Sequence, residues 1–146
     1  MVAVNFESGE RRVFDRHSGV ELVDAVVATT TFWGSPPVFF EGHHYIDGGF
    51  YSSDNADLAA GFDQVIIFAL RPPGPSLCLA SLEEGIERLS RTGSTVEVVL
   101  PDRACREALA AGGPMNPAVR APVAKAGRAQ GLRLAKKIGR FRDNSR

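Results

Sequence analysis

The sequence has no apolar stretch long enough to cross a bilayer, and its N-terminus lacks a basic segment followed by an uninterrupted apolar block. These absences predict a soluble, cytoplasmic chain that is not secreted. Cysteine is scarce. Cys78 and Cys105 lie in unlike contexts, without the spacing of a disulfide framework or a zinc site, and both are expected to be small buried residues. His43 and His44 are adjacent, and neighbouring strand residues point to opposite faces, so they do not form a metal-binding pair. No internal repeat or low-complexity block occurs. What remains is 146 residues, 44% apolar, with nine Phe and one Trp, enough for a single compact domain with little to spare.

Charge is balanced overall but segregated. Residues 118–146 hold nine Lys or Arg and one acid, Asp143, which leaves the rest of the chain acidic by eight charges. Such a run is either a solvated helix face or a surface for anions. Its basic residues are not interleaved with aromatics, and no nucleic-acid-binding module pattern occurs, so no nucleic-acid partner is expected.

The chain opens on two short strands around Glu7-Ser8-Gly9-Glu10. Leu22, Val23, Val26 and Val27 then recur at helical spacing, with Ser18 placed as N-cap and Glu21 three residues on, which predicts a buried helix of two to three turns. Pro36-Pro37 stops it and biases Ser35 toward an extended conformation. "VFFEGHHYI" reads as a hairpin turning at Glu41-Gly42, and residues 55–61, "NADLAAG", as a short helix with Asn55 as N-cap. Val65 to Leu70 is nearly continuous apolar and predicts a strand buried on both faces.

Residues 79–89 carry a helical pattern with Glu83, Glu84, Glu87 and Arg88 on the wet side, "STVEVVLP" a further strand, and residues 102–111 a helix stopped by Gly112-Gly113. A last helix begins at Asn116-Pro117 or Pro122, with Val119, Val123, Leu134, Ile138 and Phe141 on one side. Strands alternating with helices predict an α/β fold with a parallel-rich sheet.

Within this frame "HHYIDGGF" places a carboxylate, Asp47, where an extended run stops, the position from which α/β sheets present functional groups. Gly48 and Gly49 leave room for another backbone or a substrate to approach. Asp47 there is suited to act as general base toward a hydroxyl nucleophile, although Asp-Gly-Gly is equally an ordinary turn sequence.

Residues 19–70 combine an alanine-bearing helix, Pro36-Pro37-Val38, the Tyr45-Ile46-Asp47-Gly48-Gly49 motif and "NADLAAG" in that order. Together they resemble the C-terminal half of the patatin-like phospholipase domain, and the resemblance continues more loosely through residues 116–131. It implies a three-layer α/β/α sandwich and a lipid acyl hydrolase that uses a serine and an aspartate without histidine. Asp47 matches the dyad aspartate, Gly48 and Gly49 its motif glycines, and no metal or organic cofactor is implied. The division expected is 1–115 as the C-terminal portion of that domain and 116–146 as a basic helix and tail.

The sequence departs from the family in lacking Gly-x-Ser-x-Gly, the turn that exposes the nucleophile, and the glycine-rich oxyanion segment that precedes it. Trp33-Gly34 stands where relatives often have Pro-Gly. Ser35 precedes two prolines, Ser52 and Ser53 are better explained as turn or capping hydroxyls, and Ser94 belongs to a Thr-Gly-Ser turn, so no nucleophile is assigned. The expected partner is a lipid acyl ester once the nucleophile-bearing part is supplied, and self-association follows from faces that part would cover. The alternative is a non-catalytic module for lipid surfaces or protein partners. In it Lys125, Arg128, Arg133, Lys136, Lys137 and Arg140 meet anionic headgroups, which makes the chain peripheral to a membrane.

Overall fold

The computed structural model describes residues 1–31, 34–72, 74, 78–113 and 115–143. Trp33 therefore lies outside the described residues, as does part of the proline-rich loop after Leu70. The chain is a mixed α/β protein organised as two compact units, Met1–Leu58 with Pro73–Arg88, and Ala59–Pro72 with Leu89–Arg146. Among the described residues no helix is long and apolar enough to cross a membrane.

The first unit is built on hairpins. β1 (Val2–Asn5) pairs antiparallel with β2 (Arg11–Val13), and β3 (Val38–Phe40) antiparallel with β4 (His43–Asp47). β1 and β4 join the two hairpins into one antiparallel sheet of order β2-β1-β4-β3. Both reversals are legible in the residues. Asn5 Oδ1 accepts from the amides of Glu7 and Ser8 at 2.9 Å, and Glu41 and Gly42 both take positive φ (51° and 80°), as a two-residue type I′ turn requires. Turns this short cannot carry a crossover, so this sheet is antiparallel where a parallel-rich one was expected.

Helix α1 (Leu22–Thr29) packs on this sheet with its alanines. Ala25 and Ala28 join Ala3, Phe14 and Tyr45 in the core, where the Tyr45 ring stacks on Phe40 at 4.5 Å and meets Phe14 edge-on at 5.9 Å. The stripe expected to be buried points the other way: Leu22 is 69% and Val23 71% exposed, with Val26 and Val27 also exposed. Small side chains let helix and sheet approach closely, and Leu22, Val23, Val26 and Val27 lie opposite Ala25 and Ala28 on a 3.6-residue helix. Ser18 is not the N-cap either. Its Oγ donates to Asp15 Oδ1 at 3.0 Å and accepts from the Asp15 amide, and Glu21 flanks the helix without a side-chain cap bond.

The Asn55 segment forms a 3-10 turn over Ala56–Ala59, not an α-helix. Asn55 takes φ 46°, and its amide group donates to the Ser52 carbonyl at 2.6 Å. Arg11 on β2 makes a two-pronged bond to Asp57 (2.7 and 2.6 Å), reaches Asn55 Oδ1 at 3.2 Å, and lies 4.4 Å over the Tyr51 ring. Arg88 on α2 (Leu82–Arg91) adds a second cation to Asp57 at 3.0 Å. α2 starts three residues later than the sequence pattern placed it. Ser81 and Glu84 form a reciprocal capping box, and Leu79 and Ala80 donate instead to the carbonyls of Phe50 and Tyr51. Glu83 is half-buried and not on the wet side; its Oε2 has no hydrogen-bond partner among the described residues.

The second unit contains the parallel pair. β5 (Gln64–Phe68) runs beside β6 (Thr95–Val99) in register from Gln64 opposite Thr95 to Phe68 opposite Val99. β5 is not buried on both faces: Val65 and Ile67 are buried, but Phe68 is 77% and Leu70 74% exposed, because among the described residues β6 is its only neighbouring strand. α3 (Arg103–Ala110) is capped by Asp102, whose Oδ1 accepts from the Cys105 amide at 3.0 Å. Asn116 caps a 3-10 turn over Pro117–Val119 that leads into α4 (Arg120–Asp143), as its Asn-Pro start predicted. Val123, Leu134, Ile138 and Phe141 share the half-buried side of α4, with Val119 buried just before it.

The Arg11–Asp57 pair yields an expected acid response. Arg11's hydrogen bond, and then the Arg11 and Arg88 charges, hold the Asp57 carboxyl below its ordinary pKa of 3.8. A depressed folded-state pKa contributes stability above the unfolded value and loses it as pH falls through the folded one. Asp57→Asn strands the half-buried Arg11 and is expected to cost about 3 kcal/mol at neutral pH in urea unfolding. That deficit relative to wild type should shrink below the ordinary carboxylate range; a deficit that persists undiminished in strong acid refutes the ion-pair account.

Candidate functional site

β4 is an interior strand of its sheet, and Asp47 is its last residue, opposite Ala3 of β1. The Asp47 amide is fixed by the Thr31 carbonyl at 3.1 Å. Beyond it the chain enters a 3-10 turn, Gly48–Phe50, for which Asp47 is the N-cap: Oδ1 accepts from the Gly49 amide at 2.6 Å. Asp47 is half-buried, and among the described residues of its unit no cation pairs with it. Its Oδ2 has no hydrogen-bond partner among the described residues. One oxygen is thus pinned by backbone while the other stays available to accept a proton or a hydrogen bond.

The two glycines have different reasons to be glycine. A Cβ on the buried Gly48 would lie 2.5 Å from the Val2 carbonyl oxygen, so the turn passes directly against the start of β1. Thr29 Oγ1 donates to that same carbonyl at 2.5 Å, which ties α1 to the spot. At Gly49 a Cβ would meet only Asp47 Oδ1, at 3.0 Å. Glycine there keeps the carboxylate free to settle on the amide. The expectation that the pair admits a close backbone approach holds for Gly48 and the Val2 backbone.

No serine among the described residues of the first unit is bonded to Asp47. Ser52 is buried and its Oγ accepts from the Asn55 amide at 3.2 Å, Ser53 donates to Asp54 at 2.9 Å, and Ser81 belongs to the α2 cap. In the second unit Ser94 is buried and donates to the Phe62 carbonyl at 2.7 Å. Ser52 is therefore the capping hydroxyl that its neighbours in sequence predicted, whereas Ser53 bonds the adjacent Asp54 side chain and Ser94 reaches the distant Phe62 carbonyl.

Sequence reasoning missed one neighbour of the site. Cys78 is half-buried and donates its thiol to the Gly49 carbonyl at 3.1 Å, beside the Leu79–Phe50 and Ala80–Tyr51 bonds, so residues 78–80 form a strap along the chain that follows Asp47. The distance of 31 residues from Asp47 left no sequence signal for it. Cys105 is buried as expected, and burial raises its thiol pKa. His44 engages Glu7 at 2.5 Å, which lowers the Glu7 carboxyl pKa, while His43 lies near Tyr45. Among the described residues no cluster of three His, Cys, Asp or Glu is arranged to hold a metal ion.

The basic helix is partly neutralised from within. Arg133 pairs with Asp102 and Lys137 with Glu97, both inside the second unit. Lys125, Arg128, Lys136 and Arg140 are exposed. No protein-family model matches this sequence, and no curated protein matches it.

The glycine geometry gives an ordered expectation. Gly48→Ala drives a methyl into a backbone carbonyl and is expected to lose about 1–3 kcal/mol, the range for overpacking. Gly49→Ala meets only the Asp47 side chain, at 3.0 Å, and no backbone, and should lose clearly less. Urea unfolding of both variants checks the order, and equal losses would falsify the close-approach explanation.

Proposed function

We propose that this chain is the carboxylate-bearing, C-terminal part of a patatin-like lipid acyl hydrolase, a partial three-layer α/β/α sandwich whose nucleophile is not in this sequence. One observation carries the reading: Asp47 stands at the end of an interior strand with one oxygen held by the Gly49 amide and the other without a partner in the described structure. The motif set in residues 19–70 supports it, and so does the outward apolar face of α1 at Leu22, Val23, Val26 and Val27, a surface suited to a covering layer.

In this reading Asp47 takes the proton of a serine hydroxyl as that oxygen attacks the acyl carbonyl of a lipid ester. It returns the proton to the leaving alcohol, and water then releases the acyl group from the serine by the same base. No metal or organic cofactor takes part. In this reading the chain alone is inactive, because its sequence has neither the Gly-x-Ser-x-Gly turn nor the glycine-rich oxyanion segment.

A second reading is favoured by the exposed Lys125, Arg128, Lys136 and Arg140 of α4: a non-catalytic module at an anionic lipid surface. It requires salt-sensitive sedimentation with anionic vesicles. The hydrolase reading is tested by treating the full chain with a fluorophosphonate probe and mapping adducts. No serine of this sequence should be labelled; a labelled one overturns the proposal. Adding a polypeptide with the family's Gly-x-Ser-x-Gly part should restore ester hydrolysis, and Asp47→Asn should then lower it about a hundredfold or more. Restored hydrolysis that is indifferent to Asp47→Asn removes Asp47 from the reaction.

A further inference from the structure

The second unit contains a cavity of about 450 Å³ beyond the C-terminal ends of β5 and β6, lined by Leu70, Val99, Leu109, Leu134 and Ile138 among others. We propose that it is a binding site for a free fatty acid, with the hydrocarbon chain inside and the carboxylate at the Arg106 side of the mouth. The site lies wholly within the second unit and uses nothing from the surroundings of Asp47.

The lining offers a polar ligand little beyond the second N–H of Gln130. Its polar side chains are Cys105 and Gln130, and these satisfy each other and the backbone. The Cys105 thiol donates to Gln130 Oε1 (3.1 Å), the same oxygen accepts from the Asp102 amide (3.0 Å), and Gln130 Nε2 donates to the Leu100 carbonyl (2.6 Å). A polar group entering would lose its water and gain at most that one partner, whereas each methylene gains by leaving water. The volume lies within the range of small-molecule sites, and at about 30 Å³ per water-sized group it takes roughly a dozen carbons.

Two glycines keep the space open. Gly127 and Gly131 of α4 both line the cavity, and a Cβ built on either meets nothing within 4 Å. Glycine is unfavourable inside a helix, so this room persists against local preference. No close contact accounts for these exposed glycines, and the room they leave on the cavity side is what the proposal assigns to the ligand.

The head group follows from the charge at the mouth. Arg106 donates from Nη1 to the carbonyl of Pro101, a lining residue, at 2.5 Å, and its side chain is exposed. Arg106 has no acidic partner among the described residues, whereas Arg103 is paired with Glu107 and Arg133 with Asp102. An exposed guanidinium beside an apolar pocket suits a carboxylate on an alkyl chain.

The test is isothermal titration of the full chain with submicellar dodecanoate at neutral pH. Saturable binding of one dodecanoate per chain is expected. Gly131→Leu fills the cavity while favouring the helix, so it should abolish binding and leave the thermal transition intact. Arg106→Gln should weaken dodecanoate by about tenfold or more, as for loss of a hydrogen bond to a charged group, and leave dodecanol unchanged. The proposal is overturned by no saturable uptake, by uptake that Gly131→Leu leaves intact, or by equal losses for dodecanoate and dodecanol in Arg106→Gln. It is also overturned by association with vesicles without uptake of the free acid, or by a dimer that dodecanoate fails to compete with.

Discussion

The first unit depends on one close approach. Gly48 lies against the Val2 carbonyl with no space for a side-chain carbon, at the point where β4 ends and β1 begins. The same carbonyl receives Thr29 from α1, and the Thr31 carbonyl just beyond that helix receives the amide of Asp47. Three segments far apart in sequence therefore converge within a few atoms of the carboxylate. The rigidity of Asp47 comes from this convergence, since the side chain itself makes only the short-range bond to Gly49. A catalytic or recognition group held by backbone in this way needs little reorganisation when it meets its partner.

The α1 helix shows how the same convergence limits what else the unit can bury. A helix hung on Val2 through Thr29 must sit close to the sheet, and only Ala25 and Ala28 are small enough to line that gap beside Phe14 and Tyr45. The larger Leu22, Val23, Val26 and Val27 are thereby turned outward. A helix apolar on both sides is the pattern of an element covered on both sides, and in this unit the sheet covers one of them. The apolar face and the second carboxylate oxygen both belong to this unit, and among its described residues neither has a counterpart.

Local rules were legible in the sequence, and choices between faces and partners were not. The two hairpins and the Asn116-Pro117 helix entry follow from residues within a few positions of one another, where turn chemistry and hydrogen-bonding side chains decide. The Ser81-x-x-Glu84 box was equally local, but the apolar pattern at Leu79 overrode it, although the Leu79 and Ala80 amides bond outside the helix to Phe50 and Tyr51. Periodicity gave the two faces of α1 correctly and assigned the wrong one to the interior, since it ranks residues by apolarity and cannot see how near the sheet lies. At the site, Asp47, Gly48 and Gly49 are one contiguous motif and could be read. Cys78 reaches Gly49 from a distant segment and could not.

The second unit is held on a different principle. No residue of α4 is buried, so this 24-residue helix is not fastened by an apolar ridge driven into a core. Polar contacts fasten it along its length: Gln130 to Leu100 and Asp102, Arg133 to Asp102, Lys137 to Glu97, and Gln64 to the Phe141 carbonyl. These contacts fix the helix at the distance their side chains span, whatever lies between. Apolar packing would have drawn α4 down until the space closed, because voids forfeit contact energy. The apolar stripe through Val123, Leu134 and Ile138 lines the cavity, while these polar contacts hold the helix beside it.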